Sequence, residues 1–519
     1  MRRKSFGLPI VSLVATYGSM TAQAAGLIEW RQRSIYQVLT DRFARPSNVF
    51  GYTVPECNVE HGLFCGGSWS AIRENLDYIQ GMNFDAIWIS PVVKQMQQRT
   101  AVGDAYAGSV LLPESIGQDL YQLEPHFGTE EDLKALVAEL HSRQMLIMVD
   151  VVVNHMACYG ECDYNTFNPF DNAVYYHDFC PMTDAVDTFT LQHCWLGDDN
   201  VALADLRTED PWVRETFAEW ISQLVSNYSI DGLRIDSAIN VEPDFFPGFV
   251  DAAGVFATGE VMTGDERLAC QWDESIGSIL NYPIYYPLIR AFSSQQGDIA
   301  SLVAKMNSVK ESCVNTTSFA TFSESHDVAR FASLTSDRSL AENIIAFTIM
   351  ADGIPVIFQG QEQRQNGSSK WTDNRAPLWE AGYDTSASLY KLIAVLNRSR
   401  KHVSTKSQDF FEHSSDVIFQ DDHSFALRKG VPSSQVITIL TNHGQDSGQT
   451  GVELTNHGFP PGSRVVELLT CTHLVVDDRG LLKVTLFAGK PGIIHSAAWL
   501  AGSGLCSGAE KRTGPGYQS

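Results

Sequence analysis

Residues 145–155 read Met145-Leu146-Ile147-Met148-Val149-Asp150-Val151-Val152-Val153-Asn154-His155. Up to Val153 only Asp150 is polar, and there is no in-out alternation. Such a run suits a strand buried on both faces, as in a parallel sheet. Just before it, Glu130–Arg143 has the pattern of an amphipathic helix, capped by Thr129 and opening with acids. A helix followed by a doubly buried strand is the repeating unit of an α/β protein.

Working outward, the unit recurs. Ile35-Tyr36-Gln37-Val38-Leu39 is a strand-like run, and Ser70–Met82 is a helix with Ile72, Leu76 and Ile79 on one face. That helix leads to Ala86-Ile87-Trp88-Ile89, and the helix Pro211–Tyr228 leads to Gly232-Leu233-Arg234-Ile235. Val255–Thr258, Ser318–Phe322 and Ile354–Phe358 continue the series. Asp150, Asp236, Glu260 and Asp327 fall at or just past strand ends on this reading. A (β/α)8 barrel gathers such residues from several strands on one face. A doubly wound sheet would announce itself with a glycine-rich first turn, and no G-x-G-x-x-G follows an early strand.

The expected fold is therefore α/β, a TIM barrel over residues 25–153 and 206–405. Between 154 and 205 the rhythm fails, and four cysteines fall among Asp, Asn, Tyr and Phe, which predicts an inserted subdomain. From 406 to 508 short apolar runs alternate with Gly, Pro, Asn and Asp, predicting an antiparallel β-sandwich domain. Its expected strands are 424–427, 436–440, 465–469, 482–486 and 493–494. Residues 509–519 are a polar tail.

The N-terminus carries Arg2, Arg3 and Lys4, a short apolar stretch from Phe6 to Val14, and Ala22-Gln23-Ala24. This is the pattern of a cleaved secretory signal over residues 1–24. The C-terminus lacks the apolar tail of a lipid-anchor signal. Ten cysteines, an even number, suit bridges in an oxidising compartment. Lys and Arg total 37 against 61 Asp and Glu, a formal charge of −24, which argues against a nucleic-acid partner. The expected product is a secreted, monomeric protein without membrane attachment after signal cleavage, with association to the cell wall as an open alternative.

Four segments carry chemistry: Asp150–His155, Gly232–Asp236, Gly259-Glu260-Val261 and Glu324-Ser325-His326-Asp327. Retaining cleavage of a sugar acetal needs one carboxylate as nucleophile and a second as acid/base. Arg234 and Asp236 share a strand face, so the guanidinium is expected to hold that carboxylate ionised. Glu260 has no cation beside it in sequence and is expected to keep its proton. In order and content these segments resemble the α-amylase family of glycoside hydrolases, family 13, and its secreted fungal members in particular. Leu39–Phe43, Tyr228–Gly232, Asn281–Tyr286 and Gly360–Gln363 extend the resemblance over essentially the whole mature chain.

The resemblance implies Asp236 as nucleophile, Glu260 as acid/base and Asp327 as transition-state stabiliser. It implies Arg234, His155, His326 and Arg375 as substrate contacts; Trp371, where the chain departs from the family's pattern, is expected to offer a new stacking face. It also implies Ca²⁺ held by Asn154, Asp205, the backbone carbonyl of Asn240 and Gln192, the last replacing a usual carboxylate. The disulfides it implies are Cys57–Cys65, Cys180–Cys194, Cys270–Cys313 and Cys471–Cys506. Cys158 and Cys162 then remain for a fifth loop bridge, or less favourably for a zinc site with His155. Asn227, Asn315, Asn366 and Asn397 head glycosylation sequons.

The departures gather at the cleft. After Tyr106 the family's His and stacking Tyr are replaced, and about six residues are inserted over 109–117 (a lost stacking ring loosens sugar placement). Ile239-Asn240 replaces a Lys-His pair, and Ala185 a tyrosine. A usual carboxylate falls near Trp371, with Asp373 as its candidate substitute. The substrate implied is an α-1,4-linked glucan, and the leading activity is endo-hydrolysis by an α-amylase. A 4-α-glucanotransferase acting on such glucans or on fungal cell-wall α-glucan is the alternative. A weakly active or inactive glucan-binding homologue is the third reading.

Overall fold

The computed structural model describes residues 26–46, 57–100, 103–104, 117–182, 187–198, 201–369, 373–407, 409–432 and 434–507. The signal segment, the C-terminal tail, Tyr106, most of the 109–117 insertion, Ala185 and Trp371 lie outside these residues. Seven parallel strands form one sheet, in the spatial order 256–259, 232–236, 146–152, 86–89, 35–38, 354–358, 320–322. Two further residues close the ring: Ile279 bridges Gly259 and Leu280 bridges Ala320, both in parallel. This eighth strand is only one bridge long on each side, too short for an apolar run to reveal. The barrel is packed tightly there, since a Cβ on Gly259 would meet Ile276 Cδ1 at 2.4 Å.

Helices lie between the strands, and their apolar faces form the core with the strands' outward side chains. Glu130–Ser142 opens with a capping box between Thr129 and Asp132. Pro211–Tyr228 begins at an Asp210 cap and ends on left-handed Ser229. The expected helix over 70–82 is two, Trp69–Glu74 and Leu76–Gly81, divided at Asn75. Asn75 turns its side-chain amide back onto the Ala71 carbonyl at 2.9 Å, a local competitor to the helical ladder. The expected strand from Ser318 starts later, because Thr316–Ser318 is a 3₁₀ turn.

After the strand Leu146–Val152 the chain leaves the barrel into a three-stranded sheet, 155–159, 201–205 and 196–197. His155 pairs with Asp205 across it. Beyond the helix Ser388–Ser404 come a six-stranded antiparallel sheet and a two-stranded partner. Ile437, Ile439 and Ile494 of the first pack with Val452, Val484 and Leu486 of the second. Asp416–Gln420, Gln449–Leu454 and Thr472–Val475 are further strands beyond the expected five, each with exposed positions.

All ten cysteines are joined, as Cys57–Cys65, Cys158–Cys162, Cys180–Cys194, Cys270–Cys313 and Cys471–Cys506. The Cys158–Cys162 bridge removes the zinc alternative, which needed free thiolates. At the N-terminal end of the barrel, Asp352 meets Lys429 of the C-terminal sheet at 3.0 Å and Lys310 at 3.4 Å, and accepts from the Ser415 amide.

Candidate active site

Arg234 is the centre of the barrel mouth. Its strand runs in register with Leu146–Val152, which sets Arg234 opposite Asp150. Nη1 lies 2.8 Å from Asp150 Oδ1 and also contacts Asp236. Nη2 reaches Glu260 Oε2 at 2.8 Å and Asp327 Oδ2 at 3.8 Å. Asp150 is inside its strand, correcting the expectation that it sits at the end. Asp236 is the last residue of its strand, and Glu260 follows the next strand directly. Asp327 arrives on a loop beyond the strand Ala320–Phe322. All these side chains are buried.

The cluster is short of positive charge: four carboxylates face Arg234 and Arg375. Burial pushes Asp236 above its ordinary pKa, although Arg234 and Ser237 pull it down. Arg234 does act on Asp236 in the expected direction, but burial opposes it and is the larger influence. Glu260 is also raised, by burial first, with Arg234 opposing and the Asp236 charge adding. Its freedom from a cation in sequence does not carry into space, because Arg234 serves both groups. Asp150 rises to about 7 through burial, against Arg234. Asp327 is held well above the usual carboxylate range by burial and then by Glu260. Burial lowers Arg375 to about 10. Carboxyls raised in this way favour their protonated forms, which acid catalysis by a carboxyl requires.

Several neighbours carry no obvious signal in sequence. Ser237, at left-handed φ 47°, donates its hydroxyl to Asp236 and its backbone N–H to Glu260, both at 3.1 Å. Tyr282 OH lies 3.3 Å from Glu260 Oε1, so the quoted Asn281–Tyr286 segment did contain a site residue without showing its role. Trp88 donates its indole N–H to Asp150 at 3.1 Å, and the Arg234 guanidinium lies over its ring. Gln37 Nε2 is 2.8 Å from His326 Nδ1, an arrangement that leaves Nε2–H to face Asp327 Oδ1 at 3.2 Å. The strand positions of Gln37 and Trp88 could have flagged them, since both are inward residues of apolar strands.

Arg375 lies 3.4 Å from Asp327. His155 stands at the first position of the subdomain sheet, its ring 3.3 Å from the Asn154 amide. Asp373 accepts from Ser368. Ile239 is buried and donates its backbone N–H to the Glu260 carbonyl at 3.2 Å.

A second set of oxygens lies between barrel and subdomain. The Asn154 amide oxygen faces the Asn240 carbonyl at 2.9 Å and Asp205 Oδ1 at 3.2 Å. Oxygens this close repel unless the amide is turned to donate from its NH₂, or a cation lies among them. Asp205 is pushed up to about 7 by burial, against a hydrogen bond from His177, with Glu242 and Glu209 adding to the rise. Among the described residues its close cationic partner is His177, 2.6 Å away and itself raised, against burial, by Asp205 and Glu209. Gln192 is buried beside Leu191, whose carbonyl accepts from Asn240 Nδ2 at 2.9 Å. The donor set is hard oxygen, mostly uncharged, and fits a calcium-type ion rather than a transition metal. Among the described residues no group of three or more His, Cys, Asp or Glu is arranged to hold a metal.

Two family models match the chain: the α-amylase catalytic domain over residues 37–416 and the α-amylase domain C over residues 417–514. The chain is 41% identical over 507 residues to α-amylase 2 of Schwanniomyces occidentalis, covering 96% of this chain and 98% of that protein. It is 42% identical to the α-amylase of Saccharomycopsis fibuligera, with 92% and 94% covered. Among solved structures, an α-amylase from Malbranchea cinnamomea superimposes with a TM-score of 0.87 at 45% identity, covering 93% of this chain and all of that one.

Proposed function

The chain belongs to the α-amylase family of glycoside hydrolases, and from that premise we propose that it hydrolyses α-1,4-glucosidic bonds inside starch-like glucans with retention of configuration. Asp236 attacks the anomeric carbon while Glu260 gives its proton to the glycosidic oxygen, which leaves with the bonding electron pair. A covalent glucosyl-enzyme results. Glu260, now a carboxylate, takes a proton from water, and the water oxygen displaces Asp236 at the same carbon. Asp327 binds hydroxyls of the distorting ring. His155, His326, Arg375 and Trp371 hold the sugar, and Arg234 keeps both reacting carboxylates in place. The carrying observation is that one guanidinium contacts both Asp236 and Glu260, while Ser237 donates to both.

We assign Ca²⁺ to Asn154, Asp205, the Asn240 carbonyl and Gln192. When bound it supplies the charge missing at Asp205 and ties the subdomain to the barrel. The N-terminal signal pattern and the five disulfides support a secreted protein. No described helix is long and apolar enough to cross a membrane. Asn227 and Asn366 are exposed and suit glycans. Asn397 does not, because it is buried and donates to the Met82 carbonyl at 3.0 Å.

The test is a maltooligosaccharide of single length. Shorter products released as the α-anomer support hydrolysis with retention. Products longer than the substrate support the second reading, a glucanotransferase. That reading is favoured by aliphatic Ile239 beside Glu260 and by Asn240 being engaged at Leu191. No product at high enzyme concentration overturns both and leaves a glucan-binding role.

A further inference from the structure

Asp327 has the loosest polar contacts of the four carboxylates: His326 at 3.2 Å, Arg375 at 3.4 Å and Arg234 at 3.8 Å. Something else must fix it. Its own N–H is held by Ser325 Oγ at 3.1 Å, but the firmer hold is on the peptides either side. Asn374 Nδ2 donates to the His326 carbonyl at 2.8 Å and to the Val328 carbonyl at 2.9 Å, so one amide group brackets Asp327 from both neighbours. Arg375 Nε adds a third bond, to the His326 carbonyl at 3.1 Å.

Asn374 is in turn fixed from behind. Arg330 Nε donates to its backbone carbonyl at 2.8 Å, and Arg330 Nη1 donates to Gln359 O at 2.7 Å and Glu324 Oε2 at 3.2 Å. Asn374 and Arg330 are both buried. The Asn374 side-chain oxygen has no hydrogen-bond partner among the described residues. A buried, unpartnered acceptor costs free energy, so the amide is an expensive choice if packing alone is needed. Its two donors are what the site gains.

We propose that Asn374 is a positioning residue for the glycosyl-transfer step, clamping the backbone on both sides of Asp327 so that its carboxylate meets the sugar only as the ring distorts. The inference rests on the glucan-cleaving reading. A carboxylate displaced by a fraction of an ångström loses transition-state contacts before it loses ground-state binding.

The experiment compares wild type with Asn374→Leu, which keeps the branched shape and removes the donors, and Asn374→Ser, which keeps one donor in a smaller side chain. Measured are kcat and KM on maltoheptaose and the melting temperature of each. Expected are a kcat loss of about 30-fold or more in Asn374→Leu and a smaller loss in Asn374→Ser, with KM within about threefold and melting temperature little changed. A folded Asn374→Leu with wild-type kcat overturns the proposal, as does a kcat loss that merely tracks a lowered melting temperature. If Asn374→Leu does not fold, a wild-type kcat in Asn374→Ser overturns it. Inactivity of the wild type on every α-glucan would refute the functional reading instead.

Discussion

Two buried ionic clusters lie at opposite ends of the barrel, and they differ in which charge is in excess. At the mouth, Asp150, Asp236, Glu260 and Asp327 compete for Arg234 and Arg375, and every carboxyl is pushed up. At the base, one carboxylate, Asp352, has Lys429 and Lys310, and it is lowered although burial is the largest single influence on it. Burial is common to both, so charge count decides. Excess acid stores protons and costs stability as it ionises. A satisfied acid joins two parts of the chain and does no chemistry. This division matches the barrel's known asymmetry between a reactive C-terminal face and a stabilising N-terminal one.

The largest effect is expected from Asp236→Asn. Losing the nucleophile should lower kcat by about 10⁴-fold or more, measured by reducing-sugar release from soluble starch. Its stability should move the other way. The folded pKa of Asp236 is above its unfolded value, so its contribution is present at low pH and lost as pH rises through the folded pKa. The neutral variant escapes that loss, and its melting-temperature advantage should grow from acid towards neutral pH. A variant less stable than wild type at pH 7 would break the contrast between the clusters.

Glu260→Gln sharpens the assignment inside the mouth. Turnover of starch should drop about 10³-fold, but an aryl glycoside whose leaving group needs no proton should be spared most of that loss in its first step. Equal losses on both substrates would show that Glu260 is not the proton donor.

Lys429→Met addresses the base. Of its two cations Asp352 would keep only the partly buried Lys310, and the loss of one partner of a buried pair costs about 3 kcal/mol. Urea unfolding should report it, with kcat at 25 °C unchanged. Because Asp352 is lowered, its contribution is present above the unfolded pKa and lost as pH falls through the folded one, so the deficit should shrink in acid. A large kcat loss in folded protein would mean the two ends are coupled.

The smallest effect is expected from calcium. Without a cation, Asp205 is held up at about 7, so charging it costs stability as pH rises from about 4 through 7. Added Ca²⁺ should raise the melting temperature more at pH 8 than at pH 5, by on the order of a few degrees. An equal shift at both pH values would separate the ion from Asp205.

Much of this was legible because burial on both faces writes apolar runs. The strands around Asp150, Arg234 and Trp88 stood out for that reason, and Asp236 and Glu260 stood out as charges where such runs stop. What depends on spatial reach was not legible. Arg234 contacts carboxylates from four segments, yet sequence shows only that Asp236 is two residues away. Asn374 acts through amide donors on carbonyls of residues far back in the chain. Strands such as Thr472–Val475, with exposed side chains on an outer position of their sheet, are not among the expected ones because pairing rather than burial makes them strands.

The two-residue closure of the ring leaves no slack for redesign. Glu260 follows Gly259 on one side of that seam, and Tyr282, which reaches Glu260, starts two residues after Leu280 on the other. A single-residue insertion or deletion anywhere from 278 to 281 would reverse which side chains point inward and withdraw the tyrosine from its partner. Loop grafts that alter cleft specificity can use the long connections elsewhere around the mouth, but this joint behaves as a fixed datum from which the rest of the reacting geometry is measured.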